Sequence, residues 1–132
     1  MITQARASSA EEFSRGATML ILVLENDPDV ADCVVMALKM LGHTTVHARS
    51  VKEAIERINR EPSIDAAMLD VDLGRQTGAN VAILLTERGI PYLVASAHAG
   101  DEVPAVMRGA PHLRKPYLLR DLENALESCR AG

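Results

Sequence analysis

Short apolar runs alternate with amphipathic stretches through most of the chain. The run MLILVL, residues 19–24, is too short to cross a membrane and stops at Glu25-Asn26-Asp27, so it predicts a buried strand. Asp27-Pro28 then offers a helix N-cap with proline in the first turn, and Val30, Val34, Leu38 and Leu41 recur at helical spacing up to Gly42. TTVHA, residues 44–48, predicts a second strand. Ser50-Val51-Lys52-Glu53 has the form of a capping box and opens a helix with Val51, Ile55 and Ile58 inward. AAMLDVDLG, residues 66–74, predicts a third strand that ends on two carboxylates, Asp70 and Asp72. A loop follows to Gly78, then a helix with Val81, Leu84 and Leu85 facing in, stopped by Gly89. YLVA at 92–95 and HLR at 112–114 predict a fourth and a short fifth strand, and Leu118, Leu122, Ala125, Leu126 and Cys129 form the inner stripe of a last helix. The stretch 99–111 holds Gly100, Pro104, Gly109 and Pro111, so a fourth helix between those strands is expected to be short or irregular.

Strands alternating with helices imply an α/β fold: a doubly wound, five-stranded parallel sheet with right-handed crossovers and helices on both faces. Such sheets bind ligands beyond the carboxyl ends of their strands, where the strand order reverses. Glu25, Asn26 and Asp27 close the first strand, Asp70 and Asp72 the third, Ser96 the fourth and Lys115 the fifth, so all are expected at one edge. A carboxylate placed at the end of an apolar run carries a desolvation cost, which points to chemistry rather than to packing.

Composition narrows what that chemistry acts on. The 132 residues suit one domain, and 48% apolar against 2% aromatic residues requires an aliphatic core with little to stack on bases. The net charge of −4 leaves no electrostatic footprint for nucleic acid or anionic lipid, so small molecules, metals and proteins remain as partners. Cys33 and Cys129 are too few for a disulfide framework and read as reduced core thiols of a cytoplasmic protein. His43, His47 and His98 lack paired ligand spacing and are assigned no metal. Residues 1–18, rich in Ala, Ser, Glu and Arg without a sustained apolar run, are expected to form a mobile arm ahead of a domain spanning 19–132.

The blocks LENDPDV, MLDVDLG, VASAH and LRKPY, in that order from residue 19 onward, resemble the signature blocks of response-regulator receiver domains. The resemblance implies a flavodoxin-like sheet of strand order 2-1-3-4-5. It also implies transfer of a phosphoryl group from a sensor histidine kinase or phosphotransfer protein onto one aspartate, with bound Mg2+. Asp70 matches the phosphoacceptor, Glu25 the first acidic metal ligand, and Asp72 the position whose backbone carbonyl helps hold the metal. Ser96 matches the hydroxyl that hydrogen-bonds the phosphoryl group, and Lys115-Pro116 matches the lysine and its usually cis-linked proline. The resemblance makes the chain a phosphoacceptor that promotes its own phosphorylation and dephosphorylation, with no turnover of a separate substrate.

The chemistry suits these residue types. A carboxylate attacking a phosphoryl group needs in-line placement and cations to neutralise oxygen charge, which Mg2+ and Lys115 supply. Mg2+ prefers oxygen ligands and keeps several waters, so one or two carboxylates suffice.

Three departures stand out. The second acidic position of the first block is Asn26, which is expected to weaken Mg2+ binding. The switch position in the fifth strand, commonly aromatic, is His112, paired with Ser96 as the other switch residue. Gly74 stands where a proline is frequent. The irregular 99–111 stretch with PHLRKPY resembles the single-domain receivers of alphaproteobacterial stress and general signalling. Nothing follows Gly132, so output is expected by protein contact or phosphate buffering. Cys33, Met36 and Met40 form a second apolar face on the first helix, where the kinase docks in receivers; packing against the last helix is the alternative. Two other functions fit: a receiver-like binding module that is not phosphorylated, supported by Asn26, and a haloacid-dehalogenase-type phosphatase using Asp70 and Asp72.

Overall fold

The computed structural model describes residues 18–72, 78–97 and 103–131. Element order is β1 (Leu20–Leu24), α1 (Pro28–Met40), β2 (Thr44–Ala48), α2 (Val51–Arg60), β3 (Ala66–Asp70), α3 (Ala79–Glu87), β4 (Tyr92–Ser96), a single 3-10 turn (Ala105–Met107), β5 (His112–Arg114) and α4 (Leu119–Ala131). The strands form one five-stranded sheet in the order β2-β1-β3-β4-β5, with every adjacent pair parallel. This is the doubly wound parallel sheet expected from the alternation of elements, in the flavodoxin-like strand order that the resemblance implies. The switch in strand direction of winding falls between β1 and β3, beside Glu25 and Asp70.

Alternation along the strands divides the core in two. Ile21, Val23, Met68 and Leu93 point to the face covered by α1 and α4, where they meet Val34, Leu38, Leu122 and Leu126. Leu22, Leu24, Leu69 and Val94 point to the other face and meet Ile58 of α2, Val81 and Leu85 of α3, and Met107. Both faces are covered, which is why the parallel strands read as unbroken apolar runs rather than alternating ones.

The helix ends follow their sequence signals. Asp27 caps α1, its Oδ1 accepting from the backbone N–H groups of Asp29 (2.9 Å) and Val30 (3.3 Å). Ser50 caps α2 through Glu53 N–H, while the Glu53 carboxylate reaches back one residue further than a capping box requires, to Arg49 N–H. Gly78 opens α3 with φ +80°, a left-handed conformation that its lack of a side chain permits, directly beneath β1 and β3.

Two packing expectations are corrected. Cys33 is exposed, because Ala31, Val34 and Leu38 already fill the stripe of α1 that faces the sheet. Only Cys129 is a core thiol. Leu118 is 60% exposed and precedes α4 instead of lining its inner stripe, since the helix begins at Leu119 and the Leu118 backbone N–H donates to Asp121 Oδ2. The described part of the 99–111 stretch contains the 3-10 turn and no longer helix, as its proline and glycine content predicts. The expected arm at 1–18 lies, apart from Thr18, outside the described residues, as do Gly74, His98, Gly100 and Gly132.

Candidate functional site

The carboxyl edge of the sheet brings together five of the residues singled out in the sequence. Glu25, Asp70 and Ser96 are 4%, 3% and 0% exposed, a concentration of buried polar groups at the ends of three neighbouring strands. Their placement follows from strand register: Leu24 pairs with Leu69 and Asp70 with Ala95, so β1, β3 and β4 end nearly level. Lys115 joins them from β5, its backbone N–H donating to Ser96 O at 2.9 Å, and the Lys115–Pro116 peptide bond is cis.

One ammonium serves three carboxylates. Lys115 Nζ donates to Asp70 Oδ1 at 3.0 Å and lies 3.6 Å from both Glu25 Oε1 and Asp72 Oδ2. Partial burial pulls the lysine pKa down, but the hydrogen bond and charge of Asp70, helped by Glu25 and Asp72, outweigh it and hold the pKa above its usual value. Lys115 is therefore a fixed cation at neutral pH. Burial raises the pKa of Glu25, Asp27 N–H at 3.1 Å from Oε2 opposes this, and the neighbouring Asp70 carboxylate adds to the rise.

The two oxygens of Asp70 differ. Oδ1 accepts from Lys115 and from Asp72 N–H at 2.9 Å, whereas Oδ2 is buried without a hydrogen-bond partner. A buried anionic oxygen lacking a donor is costly, and a cation or an electrophile would satisfy it. Among the described residues no three His, Cys, Asp or Glu side chains form a group able to hold a metal ion alone. Glu25 and Asp70 would thus be the carboxylate ligands of a hard divalent cation, with waters and backbone oxygens completing the set, a donor set that fits Mg2+.

Asn26 and His112 are exposed, unlike buried Glu25, Asp70 and Ser96. Asn26 lies between buried Glu25 and the cap residue Asp27 with its side chain exposed. His112 is exposed at the start of β5, where it lines a groove of about 520 Å3 with Arg114, Tyr117 and Asn124. Sequence reasoning missed two contacts. His47 Nε2 donates to Glu25 O at 2.8 Å, bracing the acidic loop from β2. Asp72, expected to contribute its backbone more than its side chain, uses the carboxylate as well: Oδ2 accepts from Ala97 N–H at 3.0 Å. Only the topology brings these pairs together, so no local spacing announces them.

No family model matches the chain. The response regulator receiver protein CpdR of Brucella abortus (strain 2308) is 28% identical over 115 residues, covering 81% of this chain and 92% of that one. The solution structure of SdrG from Sphingomonas melonis Fr1 is 33% identical, covers 86% of this chain and 98% of that one, and superposes with a TM-score of 0.76. The chain belongs to the response-regulator receiver family. The same fold is seen in the response regulator TrrA of Thermotoga maritima, solved in complex with Mg(2+)-BeF, at 17% identity and a TM-score of 0.74, covering 84% of this chain and 98% of that one. The Brucella relative also fits the resemblance to alphaproteobacterial receivers. Membership of the receiver family favours the response-regulator reading over the phosphatase alternative for Asp70 and Asp72.

Proposed function

We propose that this response regulator accepts a phosphoryl group on Asp70 from a histidine kinase or phosphotransfer protein, and that residues 19–132 form the receiver domain. The observation that carries the reading is the Asp70 carboxylate itself: buried at the end of β3, one oxygen fixed by Lys115 and the other unpartnered. An Asp70 oxygen forms the new O–P bond while the P–N bond of the donor phosphohistidine breaks, the nitrogen keeping the electron pair. Lys115 stands beside Asp70 to offset charge on the phosphoryl oxygens, and buried Ser96 supplies a hydroxyl to one of them after transfer. Glu25 and Asp70 would be the carboxylates that hold Mg2+, which would supply positive charge to offset that of the phosphoryl oxygens. The beryllofluoride complex of the Thermotoga structure supports Mg2+ as the cofactor, and Asn26 in place of an acid is expected to weaken its binding.

Ser96 and His112 are the switch residues of this reading, downstream signalling is by protein contact, and the cytoplasm is the compartment where kinase and receiver meet. No helix among the described residues is long and apolar enough to cross a membrane. A binding module that takes no phosphoryl group is the second reading, favoured by Asn26 alone. Incubation with acetyl phosphate and Mg2+ separates the two: the phosphoacceptor gains one base-labile acyl phosphate per chain, and the binding module gains none. Steady phosphate release from a generic phosphomonoester is not expected.

A further inference from the structure

The rim around Asp70 presents an N–H group at Ala97, the Ser96 hydroxyl and the Lys115 ammonium, on the adjoining ends of β4 and β5. A phosphoryl group attached to Asp70 brings about two negative charges and three acceptor oxygens, and such donors are what it requires. In the structure the Asp72 carboxylate already engages two of them, accepting from Ala97 N–H at 3.0 Å and lying 3.6 Å from Lys115 Nζ. Its own backbone N–H meanwhile donates to Asp70 Oδ1 at 2.9 Å, so the side chain folds over the phosphoacceptor from the residue two positions along.

We infer that the Asp72 carboxylate is a built-in stand-in for the phosphoryl group, an anionic latch on Ala97 N–H and Lys115 that must swing away before a phosphoryl group on Asp70 can take those donors. The inference rests on Asp70 being the phosphoacceptor. Lys115 already serves three carboxylates, but the single Ala97 N–H cannot be donated fully to two anions held side by side, so phosphorylation and latch closure compete for it. The latch holds the Ala97 amide when Asp70 is unmodified and slows phosphorylation. Asp72 is a positioning residue here: it acts through Ala97 and Lys115 and forms no bond to the phosphoryl group. Its side chain is 23% exposed while Oδ1 is itself buried, so opening the latch means turning the carboxylate out of the rim toward water.

The test compares the full chain with Asp72→Ala, which removes both acceptor and charge, and Asp72→Asn, which keeps an acceptor for Ala97 but loses the charge facing Lys115. Two quantities are read: amide hydrogen exchange at Ala97 without phosphodonor, and the rate of labelling by acetyl phosphate at fixed Mg2+. The latch predicts faster Ala97 exchange in Asp72→Ala and labelling quicker by about tenfold, the worth of one charge-assisted hydrogen bond, with Asp72→Asn between it and wild type in both. On phosphorylation of wild type, Ala97 stays protected, now by a phosphoryl oxygen. Unchanged Ala97 exchange in Asp72→Ala overturns the latch outright. Released Ala97 with unchanged or slower labelling shows that the contact exists but gates nothing, which also overturns it while leaving Asp70 as phosphoacceptor. Equal acceleration in both variants with Ala97 undisturbed assigns the effect to bulk charge and refutes the latch. Failure of wild type and both variants to take label refutes the phosphoacceptor reading, and the gate with it.

Discussion

Two regions of this receiver break the ordinary rule of burial in opposite directions. At the carboxyl edge of the sheet, Glu25, Asp70 and Ser96 are polar and buried. Along the outer face of α1, Met36 and Met40 are apolar and 65% and 70% exposed, beside a groove of about 530 Å3 lined with Val30, Cys33, Pro116 and Tyr117. Either departure is informative where a buried leucine or an exposed lysine would not be. They differ in what holds them. The buried carboxylates are fixed by Lys115 and by backbone N–H groups, so their geometry is set before any ligand arrives. Among the described residues the methionines are largely uncovered on their outer side, and unbranched thioethers adapt to whatever covers them. In the proposed reading the edge serves the phosphoryl transfer and the groove serves contact with the phosphodonor. Lys115 belongs to both, and links them physically.

The comparison breaks most sharply at Lys115. Lys115→Ala removes the cation from three carboxylates and should lower labelling by acetyl phosphate about a hundredfold, the scale of losing one charge-stabilising donor at a reacting centre. A change below threefold would show that the ammonium is merely structural. Next comes Asn26→Asp, which adds a charge beside Glu25 and should tighten Mg2+ about tenfold, or about 1.4 kcal/mol, by titration calorimetry with the fold unchanged. Unaltered affinity would place position 26 outside the metal's reach and overturn its part in weakening Mg2+ binding.

The groove should respond in the opposite way. Met36→Ser with Met40→Ser should change stability by less than about 0.5 kcal/mol, as expected of exposed positions. Acetyl phosphate labelling should also be unaffected, while transfer from a cognate phosphotransfer protein slows about fivefold, the effect of truncating an ordinary interface side chain. Equal slowing with both donors would mean that the groove acts on the site and not on docking.

The smallest effect lies far from both regions, at His43. Its Nδ1 accepts from Met19 N–H at 3.1 Å, and burial, with Arg130 nearby, pushes its pKa below the usual 6.5. The folded state therefore binds fewer protons than the unfolded chain just below that value, so stability should be full above it and decline as pH falls. Denaturant midpoints at pH 7 and pH 5 should differ by more in wild type than in His43→Asn.

Much of this was legible in the chain. Strand ends could be read because an apolar run stops abruptly at Glu25, Asp70 and Ser96, and parallel strands that end level must bring those stops together. Asp27 and Ser50 announced their caps through local spacing. Cys33 was misread because a helix carrying apolar residues on two sides does not say which side meets the sheet, and Ala31, Val34 and Leu38 decide that only in three dimensions. The Asp72–Ala97 and His47–Glu25 contacts span 25 and 22 residues, so no periodicity encodes them. Asp72 illustrates the limit best: its type and place were visible, and the partner of its carboxylate was not.

Asp70 is the residue proposed to take the phosphoryl group. Wild type and Asp70→Asn incubated with acetyl phosphate and Mg2+, followed by peptide mass spectrometry to locate the modification, test it directly. The account predicts one acyl phosphate per wild-type chain, on the peptide containing Asp70, and no label above background in the variant. Label on any other residue, or undiminished label in Asp70→Asn, would contradict it.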